Sequence, residues 1–175
     1  NTMVKVGQSA PEFTLQGVLN GKVSNYSLAK QKSKWTVIFF YPLDFTFVCP
    51  TEIHGFNKHF DEFKKLKADV WGVSVDSVHS HRAWIEREFK SLKFPLLADF
   101  NKEVTKEYEI DIEEAEGTVA LRGTFIVDPE GVLRYVVVSD NNVGRSVEET
   151  VRVLQALQTG KLCPIEWEPG EKTLN

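Results

Sequence analysis

The sequence predicts an α/β layer sandwich, in which a mixed central sheet carries helices on both faces. Two segments consist of almost uninterrupted apolar residues, which is typical of strands that are buried on both sides. Segments with helical spacing alternate with these strands, and two later strands are joined by a tight turn. This order of elements predicts a sheet that contains both parallel and antiparallel neighbours.

The first elements are a hairpin and a central strand. The dipeptide Asn20-Gly21 separates residues 12–15 from residues 23–28, and it favours a two-residue hairpin turn. Residues 34–41 are a run of aromatic and β-branched side chains after a single lysine. Such a run predicts a buried central strand.

The middle of the chain alternates helices and strands. Apolar side chains at helical spacing predict one helix over residues 50–67 and another over residues 79–92. Between them, residues 70–75 form a second apolar run and predict a second buried strand. A short strand over residues 94–98 and a short helix over residues 103–108 follow.

The last part of the chain predicts a hairpin and a well-marked helix. Strands over residues 122–128 and 132–139 flank an Asp-Pro-Glu-Gly sequence, which favours a turn. Ser146 and Glu149 have the spacing of a capping box at a helix start. An apolar stripe follows, and Gly160 marks the end of this helix.

Composition and charge exclude several classes of protein. The 21 basic and 25 acidic residues give a net charge of −4, which offers no attraction to nucleic acid. The longest apolar run, residues 36–43, is far shorter than the roughly 20 residues that cross a membrane. We expect a cytoplasmic protein of one domain, residues 1–175, with residues 160–175 as a tail. The acidic stretch 107–116 predicts a solvated face or loop.

Cys49 lies where a reactive thiol is expected. It follows the central strand, and Pro50 stands at the predicted first position of a helix, which proline favours. The free amide groups and the dipole of a helix N-terminus stabilise a thiolate. The alternative interpretation is a buried, inert cysteine that packs against Phe45 and Phe47.

Cys163 lies in a polar segment after the last helix, and we expect it to be exposed. A thiol there can condense with a sulfenic acid on Cys49 to form a disulfide. The alternative is a tail cysteine without a role. No Cys-x-x-Cys pair or four-ligand zinc pattern occurs, and none of the 4 histidines has partners at zinc-ligand spacing. We therefore expect no metal.

The segment Pro42-Leu43-Asp44-Phe45-Thr46-Phe47-Val48-Cys49-Pro50 resembles the Pro-x-x-x-Thr-x-x-Cys signature of the peroxiredoxins. Three further segments resemble the typical two-cysteine branch, and within it the bacterial alkyl hydroperoxide reductase C type: Thr51-Glu52-Ile53, Gly144-Arg145-Ser146 and Leu162-Cys163-Pro164. The resemblance spans essentially the whole chain. It implies a thioredoxin-like fold with an N-terminal hairpin extension and a C-terminal tail that carries the second cysteine.

The resemblance also implies roles for individual residues. Cys49 matches the peroxidatic cysteine, and Cys163 matches the resolving cysteine, which in this branch attacks from the other subunit of a homodimer. Pro42, Thr46 and Arg122 match the other catalytic positions. Further residues match positions that surround the site: Glu52, Trp84 and Arg145.

The implied activity is the reduction of hydrogen peroxide and organic hydroperoxides, with peroxynitrite as a further candidate substrate. Cys49 becomes a sulfenic acid, Cys163 of the partner subunit converts it to a disulfide, and thioredoxin or the alkyl hydroperoxide reductase flavoprotein reduces that disulfide. This implies no cofactor. The family also suggests decamers, as rings of five dimers.

Two other functions remain open at this point. A general thiol–disulfide oxidoreductase could share the fold, but the absence of a Cys-x-x-Cys pair argues against it. A holdase or scaffold without catalysis would tolerate Cys49→Ser, whereas a peroxidase would lose its activity.

The chain departs in one respect from the family members that are easily overoxidised. Those members carry a Gly-Gly-Leu-Gly insertion and a C-terminal Tyr-Phe helix, and residues 88–95 and 164–175 contain neither sequence. We therefore expect easy local unfolding around Cys49, fast disulfide formation and resistance to sulfinic acid formation. Sulfinate that accumulates as fast as in a sensitive member at a matched peroxide dose would contradict this prediction.

Overall fold

The computed structural model describes residues 4–175. Its strands are β1 (Thr14–Leu19), β2 (Lys22–Ser27), β3 (Trp35–Phe40), β4 (Ala68–Ser74), β5 (Leu96–Ala98), β6 (Asp111–Glu114), β7 (Gly117–Ala120), β8 (Arg122–Val127) and β9 (Leu133–Ser139). Its helices are α1 (Cys49–Lys58), α2 (Phe60–Lys65), α3 (Val78–Glu88), α4 (Glu103–Glu107) and α5 (Val147–Thr159), with a short 3-10 helix at Leu28–Gln31.

Seven strands form a mixed sheet in the order β2-β1-β5-β4-β3-β8-β9. Strand β4 runs parallel to β3 and to β5, and the remaining neighbours are antiparallel. The predicted N-terminal hairpin is β1–β2, and Leu19 pairs with Lys22 across the turn at Asn20 and Gly21. Both turn residues have positive φ angles, as a two-residue turn of this kind requires. These features confirm the predicted fold class.

The central strand β3 separates two hydrophobic cores. Val37 and Phe39 point into a core that contains side chains of α1, α2, α3 and α5. Ile38 and Phe40 point to the opposite face, where α4 contributes Val104. Because successive side chains of a strand point to opposite faces, one apolar run supplies both cores.

Helix α5 begins and ends as the sequence predicts, but its capping box is incomplete. The Ser146 hydroxyl accepts a hydrogen bond from the backbone N–H of Glu149 at 3.2 Å. The Glu149 carboxylate does not return to the cap, because it pairs with Arg152 at 2.6 Å. Gly160 ends the helix at a φ angle of 65°.

Two predicted helices differ in extent from those of the structure. The helix predicted over residues 50–67 is divided at His59, where the backbone turns while the apolar side chains stay on the same face. The helix predicted over residues 79–92 ends at Glu88, since Phe89 adopts an extended conformation. The acidic stretch 107–116, for which a solvated face or loop was predicted, contains strand β6, which pairs with β7 and is exposed at every residue, as a solvated face would be.

Within residues 4–175, no helix combines the length and the apolar character needed to cross a membrane.

Candidate active site

Cys49 is the first residue of α1 and is completely buried. It follows β3 through residues 41–48, which we call the active-site loop. The helix begins one residue earlier than predicted, so Pro50 occupies its second position. Proline is tolerated there because the first turn of a helix has no intrahelical partners for its N–H groups. The structure therefore holds the thiol at the N-terminus of a ten-residue helix.

Arg122, from strand β8, reaches the sulfur of Cys49. Its Nη1 lies 3.3 Å from Cys49 Sγ and 2.6 Å from Glu52 Oε1. Its Nε donates to the backbone carbonyl of Asn141 at 3.0 Å. Three partners thus fix the guanidinium, which is only 3% exposed. Strand β8 lies next to β3 in the sheet, and this neighbour relation brings Arg122 to a residue 73 positions away.

Arg145 binds the other side of Glu52. Its Nε donates to Glu52 Oε2 at 2.6 Å, and its backbone N–H donates to the same oxygen at 2.9 Å. Further guanidinium hydrogen bonds reach the carbonyl oxygens of Phe40 and Gly123. Arg145 therefore connects the N-terminal end of α5 to α1, β3 and β8.

Arg122, Arg145 and Glu52 form a buried cluster whose charges do not cancel. Two buried guanidinium groups, on Arg122 and Arg145, face one buried carboxylate, on Glu52. Burial lowers the pKa of Arg145, and the hydrogen bond and charge of Glu52 oppose that shift. Since arginine stays protonated in proteins, the cluster carries one excess positive charge. The sulfur of Cys49 lies 3.3 Å from one of these guanidinium groups, so a negative charge on this sulfur would be attracted to it.

Pro42 and Thr46 lie on the active-site loop and are both partly buried. The Thr46 hydroxyl donates to the backbone carbonyl of Leu43 at 2.9 Å, so its lone pairs remain available as acceptors. Between them, Phe45 has a φ angle of 59°, which is uncommon for a bulky residue. The loop therefore turns back on itself immediately before Thr46.

Trp84, from α3, is 2% exposed and lies beneath the active-site loop. Its ring centre is 5.8 Å from that of Tyr41 and 6.1 Å from that of Phe45. It thus contacts the aromatic residues of the loop rather than forming a hydrogen bond with Cys49.

A largely buried polar cluster, which was not predicted from the sequence, lies behind this loop. Asp44, Asp76 and His81 have ligand atoms within 4.8 Å of one another, a spacing that could hold a metal ion. Each of these groups already has protein hydrogen-bond partners. No spacing pattern pointed to the cluster, because its members come from a loop, a strand end and a helix.

Cys163 lies away from Cys49, at the other end of α5. Its sulfur is 3.7 Å from the carbonyl of Ala156 and 3.5 Å from the hydroxyl of Thr159. Ala156 lies about 15 Å along α5 from Ser146, at about 1.5 Å per residue, so Cys163 is near the opposite end of this helix from Arg145. The thiol is half-buried rather than fully exposed, in an open groove of about 640 Å³ that exposed Leu162 borders. Both cysteines are free.

Comparison with known proteins identifies the family. The AhpC/TSA family model matches residues 6–136. Mouse peroxiredoxin-2 is 46% identical over 97% of this chain and 89% of its own length. The reduced 2-Cys peroxiredoxin of Plasmodium vivax superimposes with a TM-score of 0.90 at 32% identity, over 96% of this chain and 91% of that one.

A bacterial structure gives the same result. AhpC of Mycobacterium bovis superimposes with a TM-score of 0.83 at 36% identity, over 96% of this chain and 100% of that one. These similarities agree with the fold and with the buried cysteine beside an arginine. The chain belongs to the AhpC/TSA family and is a peroxiredoxin enzyme.

Proposed function

We propose that Cys49 is the peroxidatic thiol of this enzyme and that it reduces hydrogen peroxide and organic hydroperoxides, with peroxynitrite as a further substrate. One observation carries the proposal: the buried sulfur lies 3.3 Å from Arg122, in a cluster with one excess positive charge. A thiolate is the nucleophilic form of cysteine, and the positive charge of Arg122 attracts a negatively charged sulfur.

The reaction is a displacement at oxygen. The Cys49 thiolate attacks the terminal oxygen of the hydroperoxide, so that an S–O bond forms while the O–O bond breaks. The attacked oxygen keeps its hydrogen, and the departing alkoxide or hydroxide takes up a proton from the solvent and leaves as alcohol or water. Cys49 is oxidised to a sulfenic acid and the peroxide is reduced, which leaves the equation balanced.

The neighbouring residues stabilise the charge that moves from sulfur to oxygen. Arg122 donates hydrogen bonds to the peroxide oxygens, and these bonds accelerate the step because they strengthen as the O–O bond lengthens. The Thr46 hydroxyl, which donates its own proton to Leu43, accepts a hydrogen bond from the peroxide and orients it. Pro42 shields the thiolate from water. Three residues support these groups without contacting the substrate: Glu52, Trp84 and Arg145.

Cys163 of the partner subunit resolves the sulfenic acid in this proposal. A disulfide requires Cα atoms within about 7 Å, far less than the length of helix that separates the two cysteines of one chain. A homodimer brings the partner's thiol to Cys49 instead. Strand β9 supports such a dimer, because it is an edge strand with exposed Val137 and Val138, and edge strands offer unpaired backbone groups.

Mixed dimers test this assignment. We expect Cys49→Ser alone to consume no peroxide and Cys163→Ser alone to stop at a Cys49 sulfenic acid. When the two variants are unfolded and refolded together, a dimer of one chain of each kind has one complete Cys49–Cys163 pair. Peroxide should then give a covalent dimer on a non-reducing gel.

The control is each variant refolded by itself, which should give no covalent dimer through this pair. If the mixture also gives none while peroxide still oxidises both cysteines of wild type, the resolving thiol belongs to the same chain and the intersubunit assignment is wrong. The test is independent of the reductant, since it follows a single oxidation.

The disulfide is then reduced by thioredoxin or by the alkyl hydroperoxide reductase flavoprotein. Cys163 is half-buried in an open groove, which supports attack on its sulfur by a thiol of the reductant. Such reduction belongs in a reducing compartment, and the cytoplasm remains our prediction.

We also propose a decamer of five dimers, for which exposed Phe45 and Phe47 offer apolar contact surface.

A further inference from the structure

We propose that Asp44 is a positioning residue for peroxide reduction: it anchors the active-site loop to α3 and to the end of β4, and so holds Thr46 and Cys49 in the reactive arrangement. The inference rests on the proposed roles of those two residues. It adds a buried hydrogen-bond network, described below, that supports the site from behind without contacting the substrate.

The Asp44 side chain is completely buried and accepts three hydrogen bonds. Tyr41 donates its hydroxyl proton to Oδ1 at 2.7 Å. His81 Nδ1 lies 2.7 Å from Oδ2, and the Ser80 hydroxyl donates to the same oxygen at 2.8 Å. Asp44 is therefore hydrogen-bonded to Tyr41, the first residue of the loop, and to two successive residues of α3.

The backbone of Asp44 is fixed as well. Its N–H donates to Asp76 Oδ2 at 2.8 Å, and the Ser74 hydroxyl donates to the same carboxylate oxygen at 2.6 Å. Strand β4 ends at Ser74, next to β3 in the sheet. Both the side chain and the backbone of one loop residue are thus hydrogen-bonded to residues outside the loop, on α3 and just after β4.

The protons of the network can be assigned from its partners. His81 Nε2 lies 2.8 Å from the carbonyl of Leu97, which only accepts, so Nε2 carries a proton. Burial works to lower the pKa of His81, but its hydrogen bond to Asp44 and the charge of Asp44 outweigh that effect and raise it. Burial and then the charge of Asp44 raise the pKa of Asp76. A buried hydrogen bond between His81 and Asp44 therefore lies behind the loop.

The anchor holds a strained turn. Phe45, the next residue, has a φ angle of 59°, and a bulky side chain in this left-handed region is unfavourable unless its surroundings enforce it. That turn reverses the chain and brings the Thr46 hydroxyl to the carbonyl of Leu43. If Asp44 is released, Phe45 relaxes and Thr46 leaves its position. The loop then loses the geometry for peroxide but not the ability to open.

The two steps of oxidation should therefore respond differently to a change at Asp44. Peroxide reduction needs the closed loop. Disulfide formation needs the loop to open, because the Cys49 sulfur is inaccessible to another chain in the closed structure. A variant that weakens the anchor slows the first step and leaves the second step unchanged or faster. A variant that merely damages the fold has no reason to separate them.

The experiment is stopped-flow tryptophan fluorescence of the reduced full-length protein mixed with hydrogen peroxide. The rate of the first step rises with peroxide concentration, and the rate of disulfide formation does not. We expect Asp44→Ala to lower the second-order rate constant of the first step by about tenfold to a hundredfold, since a misplacement of 1 Å can cost about a hundredfold. Asp44→Asn, which keeps the shape and can still hydrogen-bond, should recover most of that loss.

Asp99→Ala is the matched control. Asp99 is also buried, and its carboxylate accepts three hydrogen bonds, one from the backbone of Val104 and two from Thr105, but it does not lie on the active-site loop. We expect neither step to change in Asp99→Ala by more than about threefold. If Asp44→Ala fails to fold, Tyr41→Phe with Ser80→Ala removes two hydrogen bonds to Asp44 without leaving a cavity at residue 44, and should slow the first step alone.

Each outcome decides the proposal. A first step in folded Asp44→Ala that stays near the wild-type rate overturns it, and so does equal slowing of both steps or failure of Asp44→Asn to recover activity. If wild type itself consumes no peroxide, the proposed function fails instead. If wild type is active and Asp44→Ala is equally active, the positioning role of Asp44 is wrong while the proposed function stands.

Discussion

Replacement of Arg122 by methionine should lower the second-order rate constant for peroxide reduction by about a hundredfold to a thousandfold, the cost of removing one preorganised donor from an active site. Two effects combine in this variant. The guanidinium that lies 3.3 Å from Cys49 Sγ is lost, and the excess positive charge of the cluster disappears with it. Competition kinetics against a peroxidase of known rate would measure the change.

The control for this variant is Arg87→Met. Arg87 is an exposed residue of α3, and its loss should leave the rate within about threefold of wild type. Arg122→Lys distinguishes charge from geometry, because lysine keeps the charge without the planar donors. An Arg122→Met variant that reacts as fast as wild type would contradict the proposed role of this residue.

Replacement of Glu52 by alanine should destabilise the protein by about 3–5 kcal/mol, the usual cost of removing one partner from a buried ion pair. The side chain of Glu52 is 1% exposed and is the carboxylate that pairs with both Arg122 and Arg145. Without it, two buried cations face each other. For a chain of this size the change corresponds to a fall of about 10 °C in Tm.

Glu149→Ala is the matched control for Glu52→Ala. Glu149 also pairs with an arginine at 2.6 Å, but the two side chains are 45% and 24% exposed. Exposed pairs contribute about 1 kcal/mol or less, so Tm should change by only a few degrees. Thermal unfolding of the reduced proteins at one concentration compares the two variants. Equal losses would show that Glu52 does not balance a buried charge.

The main elements of the fold could be predicted because their signals are local. The apolar run of β3 and the residues that cap α5 are readable in a few neighbouring positions. The break at His59 was missed because α1 and α2 keep the same apolar face, so the helical spacing of the apolar residues continues through the bend. The pairing of β6 with β7 was hidden by charge, since strands exposed on both faces lack an apolar pattern.

The candidate site was predictable only in part. The position of Cys49 at a helix start follows from Pro50, but its contact with Arg122 depends on the pairing of β3 with β8. No local pattern encodes such a contact, and the resemblance to a family supplied it. Asp44 and His81 were missed because a single polar residue in a sequence does not reveal whether it will be buried.

The most direct test of the central proposal is to add one equivalent of hydrogen peroxide to the reduced protein and to map its cysteines by mass spectrometry. We predict rapid loss of the Cys49 thiol and a disulfide that joins Cys49 of one chain to Cys163 of another. A Cys49 thiol that remains reduced while a control peroxidase consumes its peroxide would contradict the assignment of Cys49 as the reactive residue.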